Sequence, residues 1–213
     1  MKEAVAVKDV VLVHGLWVPG AVMSPLGARL ARAGFRCRRF GYFGRARPLH
    51  AHAERLARYG REIGPAHYVG HSMGGRVILE ALERDRALPA GRVLLLGTPV
   101  RGCMAGRRLA GHAAGRWLLG ESEALWRESE RHACWTRPEP LGVIAGALPL
   151  GLGRVLGPLP GINDGVVRLE ETQVEGMAAR VVMRLGHGAM LVSARLAAQA
   201  VAFLRTGAFL EDA

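Results

Sequence analysis

Lysine is nearly missing from this chain. It occurs at Lys2 and Lys8 only, so of 29 basic residues the other 27 are arginines. Acidic residues are a minority too, 18 against 29, which leaves a formal net charge of +11. Such a surplus invites a nucleic-acid or anionic-membrane partner. Aromatics, however, are only 6% of the chain, and the arginines are scattered in runs of no more than two. The basic, aromatic-interleaved stripe of a nucleic-acid binder is therefore absent, and no nucleic-acid partner is expected.

Cysteine is scarce as well. Cys37, Cys103 and Cys134 are odd in number and no pair has metal-ligand spacing. That argues against a disulfide framework and against a cysteine-built metal site, and it favours a reducing, cytoplasmic setting. A long unbroken apolar run is also lacking. Residues 141 to 161 come closest, but Pro149, Pro158, Pro160, Arg154 and several glycines interrupt them, unlike a membrane span of about 20 residues. The first residues carry Glu3 and Asp9 and no small-residue cleavage site after an apolar stretch, so no signal peptide is read.

What remains is a globular composition. Half of the 213 residues are hydrophobic, enough for one full core, and neither a linker nor a repeat divides the chain. Apolar runs alternate with amphipathic segments. Val10–Val13 lacks polar alternation, as suits a strand buried on both faces of a parallel sheet. Further strands are expected at 35–40, 66–70, 93–96, 141–145 and 180–185. Helices are expected from about 26 to 33, 49 to 62, 73 to 84 and 193 to 204. In the third of these, Val77, Ile78, Ala81 and Leu82 should face inward, with Arg76, Glu80, Glu83 and Arg84 outward. Strand–helix alternation predicts an α/β fold with a parallel sheet, whose sites form beyond the carboxyl ends of the strands. Residues 100–138 break the alternation, with two helices expected near 105–119 and 122–131.

The chain is organised around Gly70-His71-Ser72-Met73-Gly74-Gly75, between a strand and a helix. G-x-S-x-G in that context is a nucleophile elbow: a sharp turn lifts the serine hydroxyl above the sheet, and the flanking residues must be small. Serine needs a base, and the base needs an orienting group. His187 is the best base, because it follows the last strand and a glycine on each side lets its loop approach the elbow. Asp164 is the best orienting acid; its rival role is a plain Asn-Asp-Gly turn, and Glu170 and Glu171 are the next acids to consider. Of the other histidines, His71 is too close to Ser72 to turn back on it, and His14 reads as structural. Two backbone amides should receive the oxyanion: that of Met73, after the nucleophile, and that of Leu16, after His14-Gly15. The four tryptophans have core or lid packing as their ordinary role. As substrate contacts the candidates are Trp17, Trp117 and Leu118. No cofactor and no metal ligand set is apparent.

These residues resemble the α/β-hydrolase superfamily, specifically its small lipase and esterase members. The resemblance rests on HGLW after the first strand, GHSMGG at the elbow, NDGVV around the acid and GHG around the histidine. It implies the α/β-hydrolase fold, with six strands in the order 2-1-3-4-5-6, and a triad of Ser72, Asp164 and His187. Segment 100–138 is longer than the smallest lipases need. In related enzymes such an insertion forms a lid; a decorated crossover is the alternative, and a basic amphipathic helix there would allow transient contact with a membrane surface. The expected activity is hydrolysis of carboxylic esters with a hydrophobic acyl portion. The same triad would serve a thioesterase or acyltransferase, and a non-catalytic scaffold that binds a lipid or partner is the reading from another class.

Overall fold

In the computed structural model, residues 7–127, 132–150 and 157–211 are described. Six strands form one all-parallel sheet: β1 (Asp9–Val13), β2 (Arg36–Phe40), β3 (Ala66–His71), β4 (Ala90–Leu96), β5 (Leu141–Gly146) and β6 (Ala179–Met183). Their order is β2-β1-β3-β4-β5-β6. The helices are α1 (Ser24–Arg32), α2 (Leu49–Ile63), α3 (Met73–Arg84), α4 (Met104–Ala110), α5 (Ala113–Leu119), α6 (Glu123–Arg127) and α7 (Ala194–Thr206).

The burial of each strand follows its place in the sheet. Every residue of β1, β3 and β5 is buried, because helices cover both faces of the sheet there. Side chains alternate across β1: Val11 and Val13 join the core under α2 and α3, whereas Val10 and Leu12 join the core under α1 and α7. β2 is an edge strand, and its polar sequence RCRRF fits that position. Arg36 and Arg38 pair with Asp9 at the start of β1, and these arginines hold the Asp9 carboxyl below its usual pKa despite its burial.

Two expectations need adjusting. The helix expected at 105–119 divides into α4 and α5 at Gly111-His112. Arg76 and Glu80, expected on the solvent face of α3, are buried: Arg76 donates to the carbonyls of Pro99 at 2.9 Å and Val100 at 3.3 Å just after β4, and Glu80 meets the chain returning after the excursion. His132 on that return donates from Nε2 to Glu80 at 2.9 Å and approaches Glu83 at 3.2 Å; Arg84 also pairs with Glu80. Arg137 is bonded to the carbonyls of Leu82 and Leu88 around the end of the same helix. The last part of the helix expected at 122–131 and the middle of the interrupted apolar stretch 141–161 lie outside the described residues. Among the described residues, no helix is long and apolar enough to cross a membrane.

Candidate active site

Ser72 sits at the junction of β3 and α3 with φ 55° and ψ −125°, one of two non-glycine residues with positive φ among the described residues. Its amide donates to the Leu96 carbonyl at 2.9 Å, which ties the turn to β4. A serine before a helix ordinarily caps it, but the Ser72 hydroxyl makes no such bond. The half-buried hydroxyl is thus available at the helix N-terminus, where unpaired amides favour negative charge.

Close backbone approach explains the glycines of the elbow. A Cβ at Gly74 would lie 2.2 Å from the Val13 carbonyl oxygen, and one at Gly70 would lie 2.6 Å from Gly75 Cα. Only a bare backbone lets α3 start this near to β1. Gly15 faces the serine itself, since a Cβ there would stand 3.1 Å from Ser72 Cβ.

Asp164 lies on a loop between β5 and β6. The interval to His187 holds a short 3-10 turn, Leu169–Thr172, and β6. The Asp164 carboxylate is divided between two tasks. Oδ1 accepts from the amides of Val166 at 2.9 Å and Val167 at 2.7 Å, closing the Asn-Asp-Gly turn. Oδ2 accepts from His187 Nδ1 at 2.7 Å. The turn and the orienting contact therefore coexist in one side chain. With Nδ1–H engaged by the carboxylate, Nε2 carries the lone pair, the tautomer a general base needs. Glu170 and Glu171 are occupied elsewhere: Glu170 pairs with Arg168, and Glu171 accepts from the Met104 amide at 2.7 Å.

The floor under this pair carried no sequence motif. Gly97, at the end of β4 with φ +53°, would place a Cβ 3.0 Å from Asp164 Oδ2 and 3.2 Å from His187 Nδ1. Gly146, at the end of β5, would place one 2.6 Å from Asp164 Cβ. Both positions need glycine because Asp164 and His187 rest directly on the strand ends. The loop after β1 has an unpredicted brace as well. His14 donates from Nδ1 to the Gly15 carbonyl at 2.8 Å and accepts the Tyr42 amide on Nε2 at 3.2 Å. Tyr42 donates its hydroxyl to the His14 carbonyl at 2.8 Å and stacks on the ring at 4.4 Å. Burial lowers the His14 pKa, in keeping with a neutral ring in this bonding.

Ser72 and His187 open on a cavity of about 610 Å³. Leu16 and Trp17 line it on one side, and Leu109, Leu119 and Trp126 on the side built by the 100–138 excursion. Met73 is fully buried as the first residue of α3. Of the proposed substrate contacts, the structure brings Trp17 to the wall but not Trp117 or Leu118. Trp117 is 68% exposed, with the Arg45 guanidinium 4.6 Å above its ring. Leu118 contributes its carbonyl, which accepts from Trp17 Nε1 at 2.9 Å. Trp126 is 6% exposed, bonded from Nε1 to Ser122 Oγ at 3.2 Å, and packed so tightly on α4 that a Cβ at Gly106 would meet its ring at 2.8 Å.

The sequence model of the alpha/beta hydrolase family matches residues 10–202. No curated protein matches the chain by sequence. Among solved structures, lipase BlEst2 of Bacillus licheniformis in its mature form superposes with a TM-score of 0.73 at 18% identity, over 88% of each chain. Carboxylesterase CesB (YbfK) of Bacillus subtilis gives 0.59 at 15% identity, over 96% of this chain and 85% of its own. Phospholipase PlaB of Legionella pneumophila gives 0.65 at 14% identity, over 95% of this chain and 60% of its own. At these identities the likeness is one of fold.

Proposed function

Because this chain belongs to the alpha/beta hydrolase family, we propose that it is a serine hydrolase cleaving carboxylic esters with a hydrophobic acyl portion. The observation that carries the reading is the 2.7 Å contact of His187 Nδ1 with Asp164 Oδ2, made at the wall of the same cavity as Ser72. In this reading His187 Nε2 takes the Ser72 proton as Oγ attacks the ester carbonyl, and Asp164 stabilises the imidazolium that forms. The amides of Met73 and Leu16 receive the oxyanion; one such donor is worth roughly 10²–10³ in rate. His187 then protonates the leaving alkoxide, and water resolves the acyl-enzyme by the same steps in reverse roles.

The acyl chain is assigned to the apolar wall of Leu109, Leu119 and Trp126. Lipase and carboxylesterase activities are named for the structural neighbours, and they support the ester reading by analogy of fold. The exposed Trp17 and Trp117, with Arg45 and Arg116 close by in the chain or in contact, support a transient association with a membrane surface. A cytoplasmic setting is proposed on the three free cysteines.

A panel of p-nitrophenyl esters of increasing acyl length tests the proposal. Turnover that rises from acetate towards longer chains is expected. Absence of turnover across the panel, from a folded protein, would contradict the ester assignment.

A further inference from the structure

His71 immediately precedes Ser72 in sequence. It is buried beneath the loop that carries His187. Its Nε2 lies 3.0 Å from the His187 carbonyl oxygen, and its ring centroid lies 4.6 Å from that of His187. A carbonyl can only accept, so Nε2 carries the hydrogen and donates it. On the other edge of the ring, Nδ1 has no hydrogen-bond partner and faces the oxyanion loop: a Cβ at Gly15 would be 3.4 Å from it.

The loop it touches is weakly restrained by its own sequence. Gly186 and Gly188 flank His187, and glycine has the largest backbone freedom to lose. The peptide units on either side of His187 are nevertheless fixed. The His187 amide donates to the Asp164 carbonyl at 2.8 Å, and the His187 carbonyl accepts from His71. The first bond ties the base to its acid. The second ties it to the residue adjoining the nucleophile.

We propose that His71 is a positioning residue for catalysis, holding the His187 backbone and ring in register with Ser72 through the Nε2–carbonyl bond and the tilted ring contact. The assignment rests on the serine-hydrolase reading above. The neutrality of His71 suits the role. Burial first, and the neighbouring His187 second, push its pKa down to about 3. It therefore adds no second positive charge beside His187 when that ring takes the serine proton. A neutral ring with hydrogen on Nε2 also leaves a bare lone pair at Nδ1, which costs less to bury than an unpaired N–H. The placement joins three parts that must act together, namely the elbow, the base loop and the oxyanion loop.

The test compares His71→Phe with His71→Gln. Phenylalanine keeps the ring and loses the donor, whereas glutamine loses the ring and keeps an N–H at about the reach of Nε2. Each variant is first checked for a cooperative thermal transition. His71→Asn, whose amide is too short to reach the carbonyl, replaces the phenylalanine variant should that one not fold. The first readout is labelling by an alkyl fluorophosphonate. Ser72 Oγ attacks phosphorus, the P–F bond breaks, fluoride leaves and His187 takes the serine proton. The second is hydrogen exchange of the peptide spanning residues 185–189. His71→Phe should lower the labelling rate constant about 10- to 100-fold, with the reagent's saturation constant unchanged within about threefold, and should speed exchange of that peptide. His71→Gln should stay within about threefold of wild type on both.

Phenylalanine labelling at the wild-type rate, glutamine falling as far as phenylalanine, or a loss of labelling with no change in exchange would each overturn the assignment. A wild-type protein that does not label at all would instead defeat the serine-hydrolase reading. Exchange would then still decide whether His71 holds the loop.

Discussion

Asp164 and His187 are tied twice. The His187 ring donates from Nδ1 to Asp164 Oδ2 at 2.7 Å, and the His187 amide donates to the Asp164 carbonyl at 2.8 Å. The main-chain bond sets where the His187 loop meets the Asp164 loop, and the side-chain bond sets which ring nitrogen is free. Asp164→Asn leaves the first and changes the second, since an amide can donate to Nδ1 and so stabilise the wrong tautomer. Turnover should fall about 10⁴-fold, the cost of that tautomer in a serine triad. Steady-state kinetics of the folded variant checks this, and a loss under tenfold would mean that Asp164 acts only in its turn.

The elbow has no room for one more carbon. Gly74→Ala places a methyl 2.2 Å from the Val13 carbonyl oxygen, against backbone that cannot step aside. Overpacking of this severity should destabilise the fold by about 3 kcal/mol or more. Gly188→Ala is the control, as a Cβ there meets nothing within 4 Å. Urea denaturation of the two variants should give a much lower midpoint for Gly74→Ala than for Gly188→Ala.

The cavity wall allows a sharper test than activity alone. Trp126→Ala removes part of the apolar wall and should shift the preferred acyl length upward, at a stability cost of about 3–5 kcal/mol for a large aromatic. Trp117→Ala removes an exposed ring that does not line the cavity, and should leave the chain-length profile unchanged. Equal shifts in both profiles would place the acyl site elsewhere.

Buried neutral histidines make stability depend on acid. Burial, then in turn the nearby His187, takes His71 to about 3; burial and Arg92 take His67 to about 4; both groups titrate near 6.5 when unfolded. Between the folded and unfolded values the unfolded chain binds more protons, so stability is full above pH 6.5 and declines as pH falls towards 4 and 3. Each histidine should cost about 1.4 kcal/mol per pH unit in that window. Urea midpoints at pH 7.5 and pH 5 measure it, and the midpoint at pH 5 should be clearly lower.

The strands and the placing of Ser72 and His187 after them were legible because local signals carry them: an unbroken apolar run reads as a buried strand, and the elbow needs small residues at fixed offsets; the strand order came only with the resemblance to the α/β-hydrolase superfamily. Asp164 was legible as a turn and as an acid, but its doing both is visible only where Oδ1 and Oδ2 part company. The burial of Arg76 and Glu80 was not legible, because a helical wheel cannot know that the Pro99 and Val100 carbonyls take up Arg76 or that His132 returns onto Glu80. The same limit hid Gly97, Gly146, Tyr42 and Trp126. Each acts on a residue distant in sequence, and none stands in a spacing that marks it. Trp117 suggested a substrate contact through its aromatic bulk, and its neighbour Arg45 shows that bulk engaged in a surface stack.

The central claim is that Ser72 is the nucleophile of an acyl transfer driven by His187. Peptide-mapped mass spectrometry after treatment with a p-nitrophenyl alkylphosphonate measures it most directly. The account predicts one adduct per chain, on the peptide containing Ser72, release of one equivalent of p-nitrophenol, and loss of both in Ser72→Ala. Stoichiometric modification of another residue, or ester turnover that survives Ser72→Ala, would contradict it.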